Sequence, residues 1–162
     1  MASLEQQLRA IEKKLQGKMR RAMQSVAPVI KEVQSEQVEK KVYDAYPNPK
    51  QYDRRRDDGG LSSVDNMIHD ITDVNGGIML RIVNMTMSNP DFLPDNGKSP
   101  FYIAGVVSQG HGYGNNYYDY PYDSRFTNPR DFIQATRDEL ARSGKHILAF
   151  KEGLRKQGVK VE

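Results

Sequence analysis

The sequence predicts an α+β fold with a long N-terminal amphipathic helix, a small antiparallel sheet and C-terminal helices. Apolar residues recur every three or four positions over roughly the first 42 residues, and again after residue 128. Between these regions, apolar residues alternate on both sides of the turn sequence Asn75-Gly76-Gly77. At 162 residues the chain is long enough to bury a core of its own. We therefore expect one domain over residues 1–162, with the helix in 1–45, strands and long loops in 46–127, and a helical part in 128–162.

The N-terminal helix is predicted from a single apolar stripe. Its residues are Leu4, Leu8, Ile11, Leu15, Met19, Met23, Val26, Ile30, Val33, Val38 and Val42. Ser3 is a suitable cap for the first turn because its hydroxyl can accept a backbone N–H. Pro28 is expected to bend or interrupt the helix because it has no N–H to donate. The sequence Pro47-Asn48-Pro49 is expected to end it.

Two strands are predicted to form a hairpin around Asn75-Gly76-Gly77. Residues 67–71 form a short apolar piece before the turn, and IMLRIVNMTM (78–87) after it is the best strand candidate. FYIAGVVSQG (101–110) is a further strand candidate. The segments between and after these strands are rich in Gly, Pro, Asn and Tyr, which favours loops.

The C-terminal part is predicted to be two helices. Asn128 would cap the first helix and Pro129 would occupy its first position. Its buried side would consist of Phe132, Ile133, Ala135, Thr136 and Leu140. Ser143-Gly144 is expected to separate it from a last amphipathic helix, which Gly158 ends.

The composition argues against catalytic and metal chemistry. The chain has no cysteine, which excludes disulfides, thiolate ligands and a cysteine nucleophile. The three histidines, His69, His111 and His146, lie in different segments, without the close spacing of a zinc site. The glycines around His111 lack the Gly-Lys-Ser/Thr of a phosphate-binding loop. Asp57-Asp58 and Asp95-Asn96-Gly97 lack the alternating ligands of a calcium loop. We therefore expect no enzyme, no metal and no cofactor.

A membrane role is also not expected. No apolar run approaches the roughly 20 residues of a membrane-spanning helix. The N-terminal sequence MASLEQQLRAIEKKL lacks the apolar core of a signal peptide, so we expect synthesis in the cytosol.

The segment QYDRRRDDGGL (51–61) allows three interpretations: a basic patch for nucleic acid, an acidic metal site, or a shaped turn used in assembly. Nucleic-acid binding has its best support in the basic run of the N-terminal helix. Its candidate DNA-facing residues are Lys13, Lys14, Lys18, Arg20 and Arg21. The tyrosines between residues 113 and 122, which are candidates for stacking on bases, are interleaved with Asp119 and Asp123, which would repel phosphate. The net charge is only +3. Elimination therefore favours the assembly turn.

Several motifs together resemble the neck proteins of tailed phages, known as head–tail connector or tail-completion proteins. They are VYDAY from Val42, YDRRR from Tyr52, GGL from Gly59, VVSQGHGYG from Val106, and NPRDFIQATRDEL from Asn128. In this family Arg usually precedes the proline of the helix-opening motif and Phe follows it directly. Here Asn128 precedes Pro129, and Arg130-Asp131 separate it from Phe132.

The resemblance implies a non-enzymatic structural virion protein, made and assembled in the cytoplasm of the host bacterium. It implies a ring of identical copies, often hexameric in long-tailed phages, that contacts portal-side connector and tail proteins. Double-stranded DNA would pass through the ring without sequence recognition. A minor capsid protein and a tail-end, terminator-like protein remain as alternatives, as does a small basic nucleic-acid-associated protein.

Arginine and tyrosine residues are the candidate contacts of such a ring. Arginine pairs well with carboxylates across an interface, and tyrosine buries a large amphipathic ring. The candidate interface residues are Tyr43, Tyr46, Tyr52, Arg54, Arg55, Arg56, Tyr113, Tyr117 and Tyr118. The alternative is that the arginines pair locally with Asp53, Asp57 and Asp58.

Overall fold

The computed structural model describes residues 3–45, 55–56, 58–88, 102–110 and 129–162. In chain order the elements are α1 (Leu4–Val38), a π-helical turn (Glu39–Tyr43), a 3-10 turn (Val64–Asn66), β1 (Met67–Val74), β2 (Gly77–Asn84), α2 (Ala104–Gln109), α3 (Phe132–Ser143) and α4 (Lys145–Lys156). The strands β1 and β2 form a two-stranded antiparallel sheet. The predicted α+β class is confirmed.

The chain divides into two compact units. Unit 1 comprises Met1–Lys31, His69–Ile82 and Leu140–Glu162, and unit 2 comprises Glu32–Ile68 and Val83–Glu139. The helices α1 and α3 and both strands of the hairpin each contribute residues to both units. The expectation of one domain over residues 1–162 stays a prediction.

Helix α1 begins at the predicted cap. The backbone N–H of Gln6 donates to Ser3 Oγ at 3.2 Å, and the N–H of Ser3 donates to Gln6 Oε1 at 3.0 Å. This reciprocal pair is a capping box. Pro28 does not interrupt the helix, which runs continuously from Leu4 to Val38. Pro28 lies on the exposed side, where a helix can curve and lengthen its hydrogen bonds toward solvent.

In unit 1, helix α4 contacts α1 closely through a glycine. Gly153 is buried, and a Cβ atom placed on it would lie 2.9 Å from both the Cα and the carbonyl oxygen of Ala22. Helix backbones approach so closely only where small residues face each other. The buried apolar residues of this unit are Ala22, Val26, Ala27, Ile71, Leu140 and Leu154.

The core of unit 2 is built around Phe132, which is completely buried. The buried residues that cluster with it are Val38, Val42, Tyr43, Leu61 and Ala104, and Ile103, Val107 and Ile133 pack against them. Val38 and Val42 at the end of the long apolar stripe and Phe132 and Ile133 at the start of α3 therefore belong to one core.

The prediction of a strand over residues 101–110 is wrong. Residues Ala104–Gln109 form helix α2, and only an isolated bridge joins Tyr102 to Met87. A short apolar run has no periodicity that separates strand from helix. Ala104 and Ser108, which are four residues apart, are both buried, which is the spacing of one helix face.

The predicted start of α3 is also corrected. Asn128 lies outside the described residues, and α3 begins at Phe132, three residues after Pro129. Asp131 acts as the cap, because its Oδ1 accepts the backbone N–H of Gln134 at 2.8 Å. The same oxygen accepts the hydroxyl of Ser108 at 2.8 Å, which ties α2 to the start of α3. These two donors lower the pKa of the Asp131 carboxyl.

Replacing Asp131 by alanine is expected to lower the free energy of unfolding by about 1 kcal/mol at pH 7 because the cap is lost. The native-state pKa of Asp131 is lowered, so its contribution is complete above the ordinary carboxyl pKa of about 4 and is lost as the pH falls through the native value. Urea denaturation at several pH values should show the difference from wild type shrinking below about pH 4. Asp70→Ala, which removes an exposed carboxylate from β1, is the control. A difference that is constant down to pH 2 would contradict this role.

The C-terminal helices end as predicted. Gly144 separates α3 from α4 with a φ of 64°, and Gly158 follows α4 with a φ of 71°. The N–H of Gly158 donates to the carbonyl of Arg155 at 2.9 Å, and that of Val159 donates to the carbonyl of Leu154 at 3.0 Å. This pair of bonds is a Schellman motif.

Candidate assembly site

The described part of the QYDRRRDDGGL segment (51–61) consists of residues 55–56 and 58–61. Together with Ser62 and Ser63, these residues form a tight turn. The N–H of Asp58 donates to the carbonyl of Arg55 at 2.7 Å, and the N–H of Ser63 donates to that of Gly60 at 3.1 Å. Gly60 packs directly on the backbone of Arg56: a Cβ at Gly60 would lie 2.2 Å from the Arg56 carbonyl oxygen. The chain therefore reverses here more tightly than any residue with a side chain would allow. We call residues 55–56 and 58–61 the arginine turn.

Polar side chains from elsewhere in unit 2 hold the glycines of this turn. Asn66 Nδ2 donates to the carbonyl oxygens of Gly59 at 2.8 Å and of Gly60 at 3.1 Å. The hydroxyl of Thr86 also donates to the Gly60 carbonyl, at 3.1 Å. Buried carbonyls need such partners, because an unpaired one costs about 1–3 kcal/mol.

Both backbone polar groups of Leu61 are hydrogen-bonded to side chains. Its carbonyl accepts a hydrogen bond from Asn84 Nδ2 at 2.7 Å, and its N–H donates to the Tyr43 hydroxyl at 3.0 Å. The Oδ1 atom of Asn84 in turn accepts the N–H of Thr86 at 3.1 Å and lies 2.6 Å from the Thr86 Oγ1. Asn84 and Thr86 are buried, so this network is sheltered from water.

Asn66, Asn84 and Thr86 were not candidates in the sequence analysis. Asn66 immediately precedes β1, and Asn84 is the last residue of β2. At such positions asparagine is usually a turn residue. Their shared role depends on the hairpin, which brings the two strand ends together. No local pattern marks it.

Arg56 has partners within its own unit. Its guanidinium lies 5.5 Å from the centre of the Tyr43 ring and donates to Glu39 Oε2 at 3.1 Å. Its side chain is 48% exposed, so the ion pair contributes at most about 1 kcal/mol. Arg56 also has a φ of 45°, in the left-handed region that a residue with a Cβ rarely adopts. The ion pair and the ring contact help to hold this conformation.

Arg55 is exposed and donates to the carbonyl of Met87 at 2.6 Å. Among the described residues, the partners of Arg56 and Arg55 are thus Glu39 and the Met87 carbonyl, not an aspartate of the same segment. Asp58 forms no ion pair with either. Asp53 and Asp57 lie outside the described residues.

Tyr43 is part of the core of unit 2. The residue is only 6% exposed, and burial raises the pKa of its hydroxyl. Its ring area is therefore already used within this unit. A role for Tyr43 in an interface stays a prediction. The other candidate interface residues lie outside the described residues: Tyr46, Tyr52, Arg54, Tyr113, Tyr117 and Tyr118.

The structure divides the candidate DNA-facing residues into two groups. Arg20 donates to the Ile71 carbonyl at 2.7 Å and pairs with Asp73 at 2.8 Å, and Arg21 Nε donates to Gln157 Oε1 at 2.6 Å. These two arginines join parts of unit 1. Lys13, Lys14 and Lys18 form no ion pair in the part of the chain that the structure describes.

His69 Nε2 lies 3.1 Å from Gln24 Oε1. Within the ranges that the structure describes, no group of three or more His, Asp and Glu side chains is close enough to hold a metal ion. Across the same ranges, no helix combines the length and the apolar character that crossing a bilayer requires.

A family model with the description YomN matches residues 3–156, which is nearly the whole chain. Comparisons with curated proteins and with solved structures gave no match. The family name is phage-derived, so the match indicates a phage-associated protein, and it does not specify a position in the virion. The chain belongs to the YomN family.

Proposed function

We propose that this protein is a non-enzymatic structural virion protein of a tailed phage, which forms a ring in the neck and joins the DNA-filled head to the tail. Its family supports an association with phages. The resemblance of its motifs to head–tail connector proteins supports the neck. The observation that carries the proposal is the arginine turn, in which backbone polar groups of Gly59, Gly60 and Leu61 are bonded within the unit while Arg55 is exposed.

Such a turn is suited to repeated protein–protein contact. Because its central carbonyls already have partners, its shape does not depend on a binding partner, and little conformational freedom is lost on association. A surface of fixed shape is required when identical copies must meet at the same angle to close a ring.

Arg55 is the side chain that this turn offers to another molecule. Among the described residues its partner is one backbone carbonyl, that of Met87, so the remaining donors of the planar guanidinium can reach a carboxylate. The middle of the chain, residues 61–130, is acidic overall. In the proposed ring, Arg55 of one copy pairs with an acidic side chain of this region in the next copy.

Arg55→Glu is expected to abolish incorporation of the protein into particles while leaving the monomer folded. A charge reversal at the contact replaces attraction by repulsion, which costs several kcal/mol when repeated around a ring. Among the described residues of the monomer it removes one exposed hydrogen bond. Complementation of a silenced gene, followed by immunoblotting of purified particles, measures incorporation. Circular dichroism and urea denaturation measure folding.

Arg81→Glu is the matched control, since it makes the same charge change at an exposed position of β2. Arg56 is unsuitable because its ion pair with Glu39 and its contact with Tyr43 contribute to the fold. Normal incorporation of Arg55→Glu would remove the arginine contact from the proposal.

Electron microscopy of particles made without this protein tests the position in the virion. DNA-filled heads beside separate, complete tails are expected, because a missing joint leaves both parts intact. Empty or malformed heads would indicate a minor capsid protein instead, and tails of abnormal length would indicate a tail-end protein. Normal virions would contradict the neck assignment.

A further inference from the structure

The first part of α1 has an apolar side that no described residue covers. Leu4, Leu8, Ile11 and Leu15 are 73%, 51%, 63% and 45% exposed. Their spacings of four, three and four residues place them on one side of the helix. Every residue from Ser3 to Gln16 is exposed. This part of α1 is therefore an amphipathic helix whose apolar side has no partner within the described chain.

The spacing is that of a short coiled-coil seam. Alternating steps of three and four residues are the a and d positions of a heptad, at which helices pack side by side. The apolar heptad pattern ends at Lys18, which takes the next seam position, and the first fully buried residue of α1, Ala22, follows it. The exposed residues thus form a separate surface, which we call the N-terminal stripe (Leu4, Leu8, Ile11 and Leu15).

The charges beside the stripe differ between its two flanks. At 100° per residue, Glu5 and Glu12 border the stripe on one side, and Lys14 and Lys18 border it on the other. Two parallel helices bring the acidic flank of one against the basic flank of the other. Two antiparallel helices would bring Glu against Glu and Lys against Lys, which is unfavourable.

We infer that the N-terminal stripe is a contact between copies of this chain, in which residues 4–18 of neighbouring copies pack in parallel. When more than two parallel helices surround one axis with the stripe facing inward, the acidic flank of each lies against the basic flank of the next, so the contact is heterologous and can repeat around a closed ring. The inference rests on the self-association in the proposed function, but not on its location in the neck.

The contact is expected to be weak by itself and effective within an oligomer. Isolated helices of about 12–15 residues are marginal in water, and two heptads bury little area. Copies that are already joined elsewhere hold their N-terminal helices at a high effective concentration, at which weak contacts form.

A membrane surface is the main competing occupant. Helices that lie on membranes carry Lys or Arg along their polar side and bind anionic headgroups. Here Glu5 and Glu12 occupy one whole border of the stripe, which anionic lipids would repel. The charge distribution favours a second copy.

The orientation is tested by oxidation of single-cysteine variants, which the absence of native cysteine makes unambiguous. Leu4→Cys and Leu15→Cys are made in the full chain, and one of them carries a size tag. Residues 4 and 15 are about 16 Å apart along a helix. The two variants are mixed in equal amounts and oxidised. Parallel packing gives disulfides between two residues 4 and between two residues 15. Predominant 4–15 disulfides would show antiparallel packing and overturn the inference.

The contact itself is tested by Leu8→Glu combined with Ile11→Glu. Sedimentation velocity over a range of concentrations is expected to show oligomers for the wild type and at least a tenfold weaker association for the variant. Lys13→Glu, which lies opposite the stripe at 100° per residue and changes the net charge by the same two units, is the control and should associate like the wild type. Circular dichroism confirms that each variant is folded.

Two results would overturn the inference. The first is an unchanged oligomer in the Leu8→Glu, Ile11→Glu variant, which would leave the arginine turn as the ring contact. The second is a wild type that stays monomeric at all concentrations and binds vesicles of anionic lipid, which would assign the stripe to a membrane surface. Neither result depends on particle imaging, so the position in the neck is judged separately.

Discussion

Replacing Gly60 by alanine is expected to lower the free energy of unfolding by at least about 3 kcal/mol. The new Cβ would lie 2.2 Å from the carbonyl oxygen of Arg56 and 2.6 Å from its nitrogen. Both are backbone atoms, so no rotation of a side chain relieves the overlap. The turn must open, and opening it separates the Gly60 carbonyl from Asn66 and Thr86. Urea denaturation of the full chain measures the loss.

Gly59→Ala is the matched control for this substitution. Gly59 has a φ of 71°, but a Cβ at that position would meet no atom of the described residues within 4 Å. The expected loss is therefore only the cost of the left-handed conformation, about 1–2 kcal/mol. Equal losses at the two glycines would show that the close approach of Gly60 to Arg56 does not constrain the turn.

The same geometry explains why Gly60 is unsuitable for testing assembly. A variant at Gly60 changes the fold of the turn and the position of Arg55 together, so a failure to assemble would have two causes. Arg55→Glu changes the exposed charge, and the network of Asn66, Asn84 and Thr86 behind the turn is left in place. Comparing the two variants separates the shape of the turn from its charge.

Features set by neighbouring residues were predictable from the sequence. The cap at Ser3, the hairpin around Gly76 and the helix ends at Gly144 and Gly158 each depend on side chains within a few positions. Helix α2 and the start of α3 were not predicted correctly because they depend on each other. Asp131 caps α3 while it also binds Ser108 of α2, and no sequence window contains both.

The candidate site was predictable only in part, for the same reason. The glycines and arginines of the turn are visible as an unusual local composition. Asn66, Asn84 and Thr86, which hold its backbone, come from the two ends of a hairpin. Their role requires the strand register to be known.

The apolar stripe of α1 shows a second limit. Its periodicity continues from Leu4 to Val42, which suggests one buried face. In the structure Leu4 is 73% exposed and Val42 is 5% exposed. A helical period identifies which residues share a side, but it does not identify what covers that side. Exposure of the first part is the observation on which the proposed contact between copies rests.

Replacing Gly153 by alanine is expected to lower the free energy of unfolding by about 2 kcal/mol, although alanine is the better helix former by about 1 kcal/mol. Gly153 lies within α4. The new Cβ at position 153 would lie 2.9 Å from both the Cα and the carbonyl oxygen of Ala22, and 3.0 Å from the Ala22 Cβ. Backbone atoms cannot move aside, so the two helices must separate, and the apolar residues around Ala22 lose contact.

Gly17→Ala in α1 isolates the propensity from the packing. A Cβ at Gly17 would meet only the end of the Arg21 side chain, at 3.7 Å, so this substitution is expected to raise the free energy of unfolding by about 0.5–1 kcal/mol. The same substitution should thus raise the free energy of unfolding at position 17 and lower it at position 153. If both substitutions stabilise the protein, the close approach of α4 to α1 at Ala22 does not exist in solution. Opposite signs would show that this contact, and not helix propensity, determines which residue position 153 accepts.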